Sequence, residues 1–228
     1  MNPKSRHHYL FNGGVEMGLT TRDIQVINFL ESTRLIMTSD QIARYFYRTK
    51  TEQTTHSLIN IANKRLKVMI KTKNLKRVRE FNNQRYIYYL QKKAPKRSQH
   101  KLIMSEFIVK LKENGYTVNK VELEYKALQQ NYHLRPDMRL ELEYYNLKFV
   151  AIVEVDHTKT FTNEEKYRRL MINRATDPIV QEALTQNCML ISVCDKKPTM
   201  QGVQWIKTDM SNFTKFKYDF DRMFEQLK

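Results

Sequence analysis

Three carboxylates in this chain of 228 residues have the types and spacing to work on a phosphodiester. Glu154 and Asp156 follow the run Phe149-Val150-Ala151-Ile152-Val153, which is apolar throughout and reads as a strand covered on both faces. Residues two apart on a strand point to the same side. Carboxylates beside a buried strand are costly unless paired or metal-bound. Asp137 opens the preceding strand, and a hairpin would set it across from them. Clustered carboxylate oxygens suit a hard cation such as Mg2+ or Mn2+, which would activate water against a phosphodiester. The alternative is a solvated strand end, or ion pairs with Arg135, Lys166 or Arg169.

A second chemistry lies in the distribution of charge. Residues 1–98 carry 20 Lys+Arg against 6 Asp+Glu, whereas residues 99–228 carry 20 against 18. Cationic charge gathered in one half is the electrostatic footprint of a nucleic-acid binder, because each Lys or Arg near a phosphate releases condensed counterions. The partner expected from this is double-stranded DNA.

The elements that must position these groups are legible in outline. Thr20-Thr21-Arg22-Asp23 starts a helix with Ile24, Ile27 and Leu30 inward, flanked by Val26 and Phe29. Thr38-Ser39-Asp40 caps a second, short helix. Thr49-Lys50-Thr51 opens a third, with an apolar face of Leu58, Ile61/Ala62, Arg65/Leu66 and Met69. Its other face shows Thr55, Asn60, Lys64, Lys67 and Lys71. Strand-like runs at 75–81 and 84–90, joined at Asn82-Asn83, form a hairpin carrying Lys73, Lys76, Arg77, Arg79 and Arg85. Three helices and a hairpin are the order of a winged helix-turn-helix. The third helix would enter the major groove and the wing would meet phosphates.

Residues 1–18 read as an N-terminal arm, 19–91 as the winged helix, 92–99 as a basic linker and 100–228 as a second domain. In the second domain, 100–114 is an amphipathic helix with Leu102, Ile103, Phe107, Val109/Lys110 and Leu111 inward. Strands follow at 117–125, 137–145 and 149–156. The middle one alternates strictly, as a half-buried strand does. Thr162-Asn163-Glu164-Glu165 starts a helix running to about Leu184, which Asp177-Pro178 kinks or splits. Strands at 188–193 and 204–206 and a helix at 213–227 complete an α/β sandwich around a mixed sheet. Cys188 and Cys194, on one such strand, are too far apart for a disulfide and read as reduced thiols of a cytosolic protein.

Arg135-Pro136-Asp137, the strand ending Glu154-Val155-Asp156, Thr158 and a charged helix with Lys166-Tyr167 together resemble the replication-relaxation family of plasmids and mobile elements. That resemblance spans roughly residues 20–195. It implies a winged helix joined to a restriction-endonuclease-like core, and a cytoplasmic, plasmid- or nucleoid-associated role with replication or mobilisation proteins. An active core of that kind carries Asp, then (Asp/Glu)-x-Lys. Asp137 and Glu154 match the carboxylates, but Asp156 stands where the lysine would. Such a lysine orients water and stabilises developing charge, and an aspartate cannot do the latter. Lys159 or Lys166 could substitute, and Glu106 could add an acid.

Three functions follow: a DNA-binding replication or mobilisation protein with a degenerate nuclease fold; a metal-dependent nuclease or nickase; and a transcriptional regulator whose second domain dimerises or senses. A homodimer fits the first and third. No His-x-His pair of a relaxase and no phosphate-binding Gly-x-x-x-x-Gly-Lys-Ser/Thr loop occurs, and no run is apolar enough for a membrane span.

Overall fold

The computed structural model describes residues 18–48, 54–79, 85–95, 98–157, 161–184 and 187–225. The expected N-terminal arm, Thr49-Lys50-Thr51, Asn82-Asn83 and Lys159 lie outside these residues, except that the arm's last residue, Gly18, is described.

Helix α1 (Thr21–Thr33) begins in a capping box: Thr20 Oγ1 accepts from the Asp23 amide and the Asp23 carboxylate accepts from the Thr20 amide. Its buried stripe is Asp23, Val26, Leu30 and Thr33, whereas Ile24 is exposed. The stripe is rotated from the one expected because Asp23 faces inward to meet Arg65. Strand β1 (Met37–Thr38) leads into α2 (Ser39–Ile42), capped by Thr38 and Gln41, and α2 runs on into a π-helical turn, Ala43–Tyr47. Helix α3 (Thr55–Lys71) is capped by Thr54, later than the sequence suggests. Strands β2 (Lys76–Val78) and β3 (Ile87–Tyr89) pair antiparallel, with Val78 opposite Ile87 at the outer end. They are shorter than expected, and β1 pairs with the other edge of β3, giving the order β1-β3-β2.

Helix α4 (Ser98–Glu113) ends at Gly115, whose φ of +89° favours glycine. Then come β4 (Thr117–Leu123), α5 (Gln129–Tyr132), β5 (Met138–Tyr144) and β6 (Leu147–Asp156). Next are α6 (Glu164–Ile172), a 3-10 turn Asn173–Ala175, and α7 (Pro178–Leu184), so the helix splits at Asp177-Pro178. Strands β7 (Cys188–Cys194) and β8 (Val203–Ile206) and helix α8 (Phe213–Glu225) complete the chain.

The five-stranded sheet has the order β4-β5-β6-β7-β8. The first three strands are antiparallel and the last three parallel, so the molecule contains a mixed α/β sheet with the apolar β6 at its centre. Tyr145 and Asn146, both at positive φ, make the two-residue turn between β5 and β6.

One sheet face (Leu140, Ala151, Val153, Ile191) joins a cluster with Phe107 of α4 and Phe213, Phe216 and Phe220 of α8. The other (Val150, Ile152, Leu190) packs with Tyr132, Tyr167, Leu170, Val180 and Leu184. Strand β5 is therefore not simply half-buried: Arg139 is buried among Glu122, Glu141 and the Ala183 carbonyl. The two thiols are free.

Helix α4 is buried on more than the single stripe expected; Met104, Ser105 and Ile108 are also inside. The reason is that both halves of the chain cover it. Ser105 donates to the Ile36 carbonyl at 2.5 Å and Gln41 Nε2 donates to the Leu102 carbonyl at 3.0 Å. Arg44 pairs with Glu106 at 2.8 Å and with Glu113 at 2.6 Å. Among the described residues no helix is long and apolar enough to cross a membrane.

Candidate functional site

All nine residues singled out for DNA are exposed: Thr55, Asn60, Lys64, Lys67, Lys71, Lys76, Arg77, Arg79 and Arg85. At 100° per residue, Asn60, Lys64, Lys67 and Lys71 recur at i, i+4, i+7 and i+11 and form one stripe along α3. Thr55 does not share it, lying about 140° around the helix from Asn60 by the same geometry. His56, four residues before Asn60 and also exposed, occupies the place in the stripe that Thr55 was expected to fill. The periodicity of 3.6 was enough to find it.

The opposite side of α3 is anchored. Arg65 Nε donates to both oxygens of the fully buried Asp23, at 3.2 and 3.1 Å, and Arg65 Nη2 to Oδ2. Tyr47 donates its hydroxyl to Asp23 Oδ1 at 3.1 Å. Burial would push the Asp23 carboxyl up, but the bonds from Arg65 and Thr20 outweigh it and hold it below the usual range. Arg65 thus holds an ion pair beneath α3 and does more than lay its stem along an apolar face.

On the hairpin, the guanidinium carbons of Arg77 and Arg79 lie 4.2 and 4.0 Å from the centre of the Tyr86 ring. Both cations thus lie within cation–π distance of one ring. Lys76 turns instead to the chain that follows, donating to the Gln91 and Lys92 carbonyls at 3.1 and 3.4 Å.

The three carboxylates do gather at one end of the five-stranded sheet. Met138 pairs with Val153, so Asp137, just before β5, is next in line with Glu154 of β6. Every one of their six oxygens accepts a hydrogen bond from the protein. Asp137 Oδ1 accepts from His100 Nε2 at 3.0 Å and Oδ2 from the Val155 amide at 2.8 Å. Glu154 Oε1 accepts from Asn163 Nδ2 and Oε2 from the Tyr167 hydroxyl at 3.0 Å. Asp156 Oδ1 accepts from Thr162 Oγ1 at 2.8 Å and Oδ2 from the Thr162 amide at 3.2 Å.

Glu154 is only 6% exposed. Burial, reinforced by Asp137 and opposed by Asn163 and Tyr167, pushes its carboxyl up to about 7. The Asp137 bond raises the His100 imidazole above its ordinary value against the effect of burial. Burial and then Glu154 drive the Tyr167 phenol well up.

Among the described residues, no three His, Cys, Asp or Glu side chains are placed to hold a metal ion. Lys166, the expected replacement for the missing lysine, donates to the His133 carbonyl at 2.9 Å. Glu106 is neither a further acid of this site nor a solvated residue, since it pairs with Arg44 and Gln41. Arg135 pairs with Glu124 and not with the carboxylates.

Sequence reasoning missed His100, Asn163 and Tyr167 as partners of these acids. Asn163 and Tyr167 stand four apart at the head of α6, a spacing that puts both on the side facing the strand end. Asn163 reads as a helix cap, yet its side chain makes no cap bond because its amide serves Glu154. His100 carries no sequence signal, being 37 residues from Asp137. No protein family, curated protein or solved structure matches this chain.

Proposed function

We propose that this chain binds double-stranded DNA through α3 and the β2–β3 hairpin, acting as a winged helix-turn-helix. The observation that carries this reading is the exposed stripe of Asn60, Lys64, Lys67 and Lys71 on one 17-residue helix, accompanied by the paired arginines on Tyr86. The order α1-β1-α2-α3-β2-β3, with β1 closing the three-stranded sheet, suits the wing role of the hairpin. Asn60 is the residue of the stripe equipped to read a base edge, and the lysines meet phosphates. The resemblance of the Arg-Pro-Asp and Glu-x-Asp segments to the replication-relaxation family supports a role in plasmid or mobile-element replication or mobilisation. In this reading the mixed-sheet half is a nuclease-like fold that no longer cuts, and its capped carboxylates support that.

The test is DNA binding by the full chain, followed by fluorescence anisotropy across a salt series. Affinity should fall with salt, with a slope of about −0.9 per phosphate contact. Changing Lys64, Lys67 and Lys71 together to alanine should make the slope shallower by about 2–3. Absence of binding at low salt, or a triple variant with unchanged affinity and slope, would sink the reading.

The nuclease reading retains one favourable observation, the adjacency of Asp137, just before β5, and Glu154 of β6. Supercoiled plasmid incubated with the protein and Mg2+ or Mn2+ should stay supercoiled. Nicking that an Asp137→Ala/Glu154→Ala variant loses would reverse this conclusion.

A further inference from the structure

We propose that the acidic end of the sheet is a clamp that orients the DNA-binding face, with His100 and Asp137 as its positioning residues, and that it works without a metal. The inference rests on the DNA-binding reading for its functional meaning but on geometry for its existence.

The connection runs through α4. Asp137 bridges β6 and α4, since one oxygen takes the Val155 amide and the other takes His100 in the first turns of the helix. Two residues on, Leu102 packs against a small apolar cluster of Ile36, Ile87 and Tyr89, which Val78 also joins. Ile87 and Tyr89 belong to strand β3 and Val78 to β2, so this cluster lies beneath the paired strands of the hairpin. The carbonyl of the same Leu102 accepts from Gln41 of α2, and Gln41 is also the reciprocal partner in the α2 cap. The first turns of α4 thus touch the sheet end, the paired strands of the hairpin and α2 at once. A shift of His100 would be passed on to the elements that carry Arg77, Arg79 and, through α2, the packing beneath α3. Packed interiors transmit such shifts because they have few voids to absorb them.

The carboxylates suit this role better than metal binding. Their six oxygens are met by donors from α4, β6, Thr162 and α6, so each acid ties a different segment to the strand ends. A cation entering there would have to share these oxygens with the donors already bound to them.

The experiment compares the full chain with Asp137→Asn, His100→Ala and His100→Gln, the last retaining a donor. Amide hydrogen exchange in the free protein reads the clamp directly. Faster exchange is expected at residues 101–104 and at Ile87–Tyr89 in His100→Ala and Asp137→Asn, with recovery in His100→Gln. DNA affinity should drop about tenfold in the two breaking variants. Their salt slope should not change, because no phosphate contact is removed. Millimolar Mg2+ or Mn2+ at matched ionic strength should leave the melting temperature of the wild type unchanged.

Unchanged exchange at Ile87–Tyr89 in both breaking variants overturns the clamp, whatever DNA does. A metal-induced rise in melting temperature that Asp137→Asn abolishes overturns its metal independence. If exchange behaves as stated but the wild type binds no DNA, the DNA-binding reading fails and the clamp stands as a structural device. Should His100→Ala fail to fold, Asp137→Asn with the His100→Gln comparison carries the same readouts.

Discussion

At the scale of single residues, two buried acids have opposite environments. Asp23 lies fully inside but faces the Arg65 guanidinium. Removing one partner of such a pair leaves an uncompensated buried charge, so Arg65→Ala should cost about 3–5 kcal/mol in denaturant unfolding. The Asp23 carboxyl is held below its ordinary value, so its contribution is present above the unfolded-state pKa and is lost as pH falls through the folded one. Glu154 instead accepts from two neutral donors, Asn163 and Tyr167. With its carboxyl pushed up to about 7, the native state holds a proton that the unfolded chain has already released. Stability therefore falls as pH rises from the ordinary glutamate value toward 7, by at most about 3 kcal/mol. Glu154→Gln should flatten that slope, gaining on the wild type at pH 8 relative to pH 5. Parallel pH profiles of the two proteins would refute this account of the site.

Among the elements, α4 departs furthest from its sequence pattern. Its polar residues are the reason. Ser105, Glu106 and Glu113 meet the Ile36 carbonyl and Arg44. Arg44 gathers Asp40, Glu106 and Glu113, and Arg48 adds a second cation to Glu113. The Arg44 guanidinium is largely covered, and its acidic partners together hold it firmly in the charged form. Arg44→Met should leave the two glutamates facing each other and cost about 2–4 kcal/mol. Adding Glu113→Gln to that variant should recover part of the loss. A double variant no more stable than the single would show that the network contributes little.

At the scale of the whole molecule, one apolar cluster includes residues from α1 (Val26, Leu30), α3 (Leu66, Met69), α4 (Phe107), the five-stranded sheet (Leu140, Val153) and α8 (Phe216, Phe220). The paired strands of the hairpin are likewise packed on Leu102. Heat should therefore unfold the chain in a single transition, with calorimetric and van't Hoff enthalpies in agreement. Two resolved transitions would show that the two sheets unfold independently. A fragment ending before α4 loses the cover over Ile36, Ile87 and Tyr89, which is why the full chain is the right material for DNA binding.

What the sequence determined by itself was the local order. Caps at Thr20 and Thr38, the split at Pro178 and the continuous apolar run of β6 follow from hydrogen-bonding groups and periodicities that act within a few residues. The lysine stripe of α3 was legible for the same reason, as was the adjacency of Asp137 and Glu154 in a hairpin. Only the tertiary structure decided what the carboxylates do. Besides the Val155 amide, their donors come from His100, Thr162, Asn163 and Tyr167, residues that fold back onto the strand end from outside the hairpin. A carboxylate oxygen offers its lone pairs to a metal or to a hydrogen-bond donor alike, so its type and spacing along the chain do not say which donors it meets. Which donors arrive depends on how α4 and α6 pack.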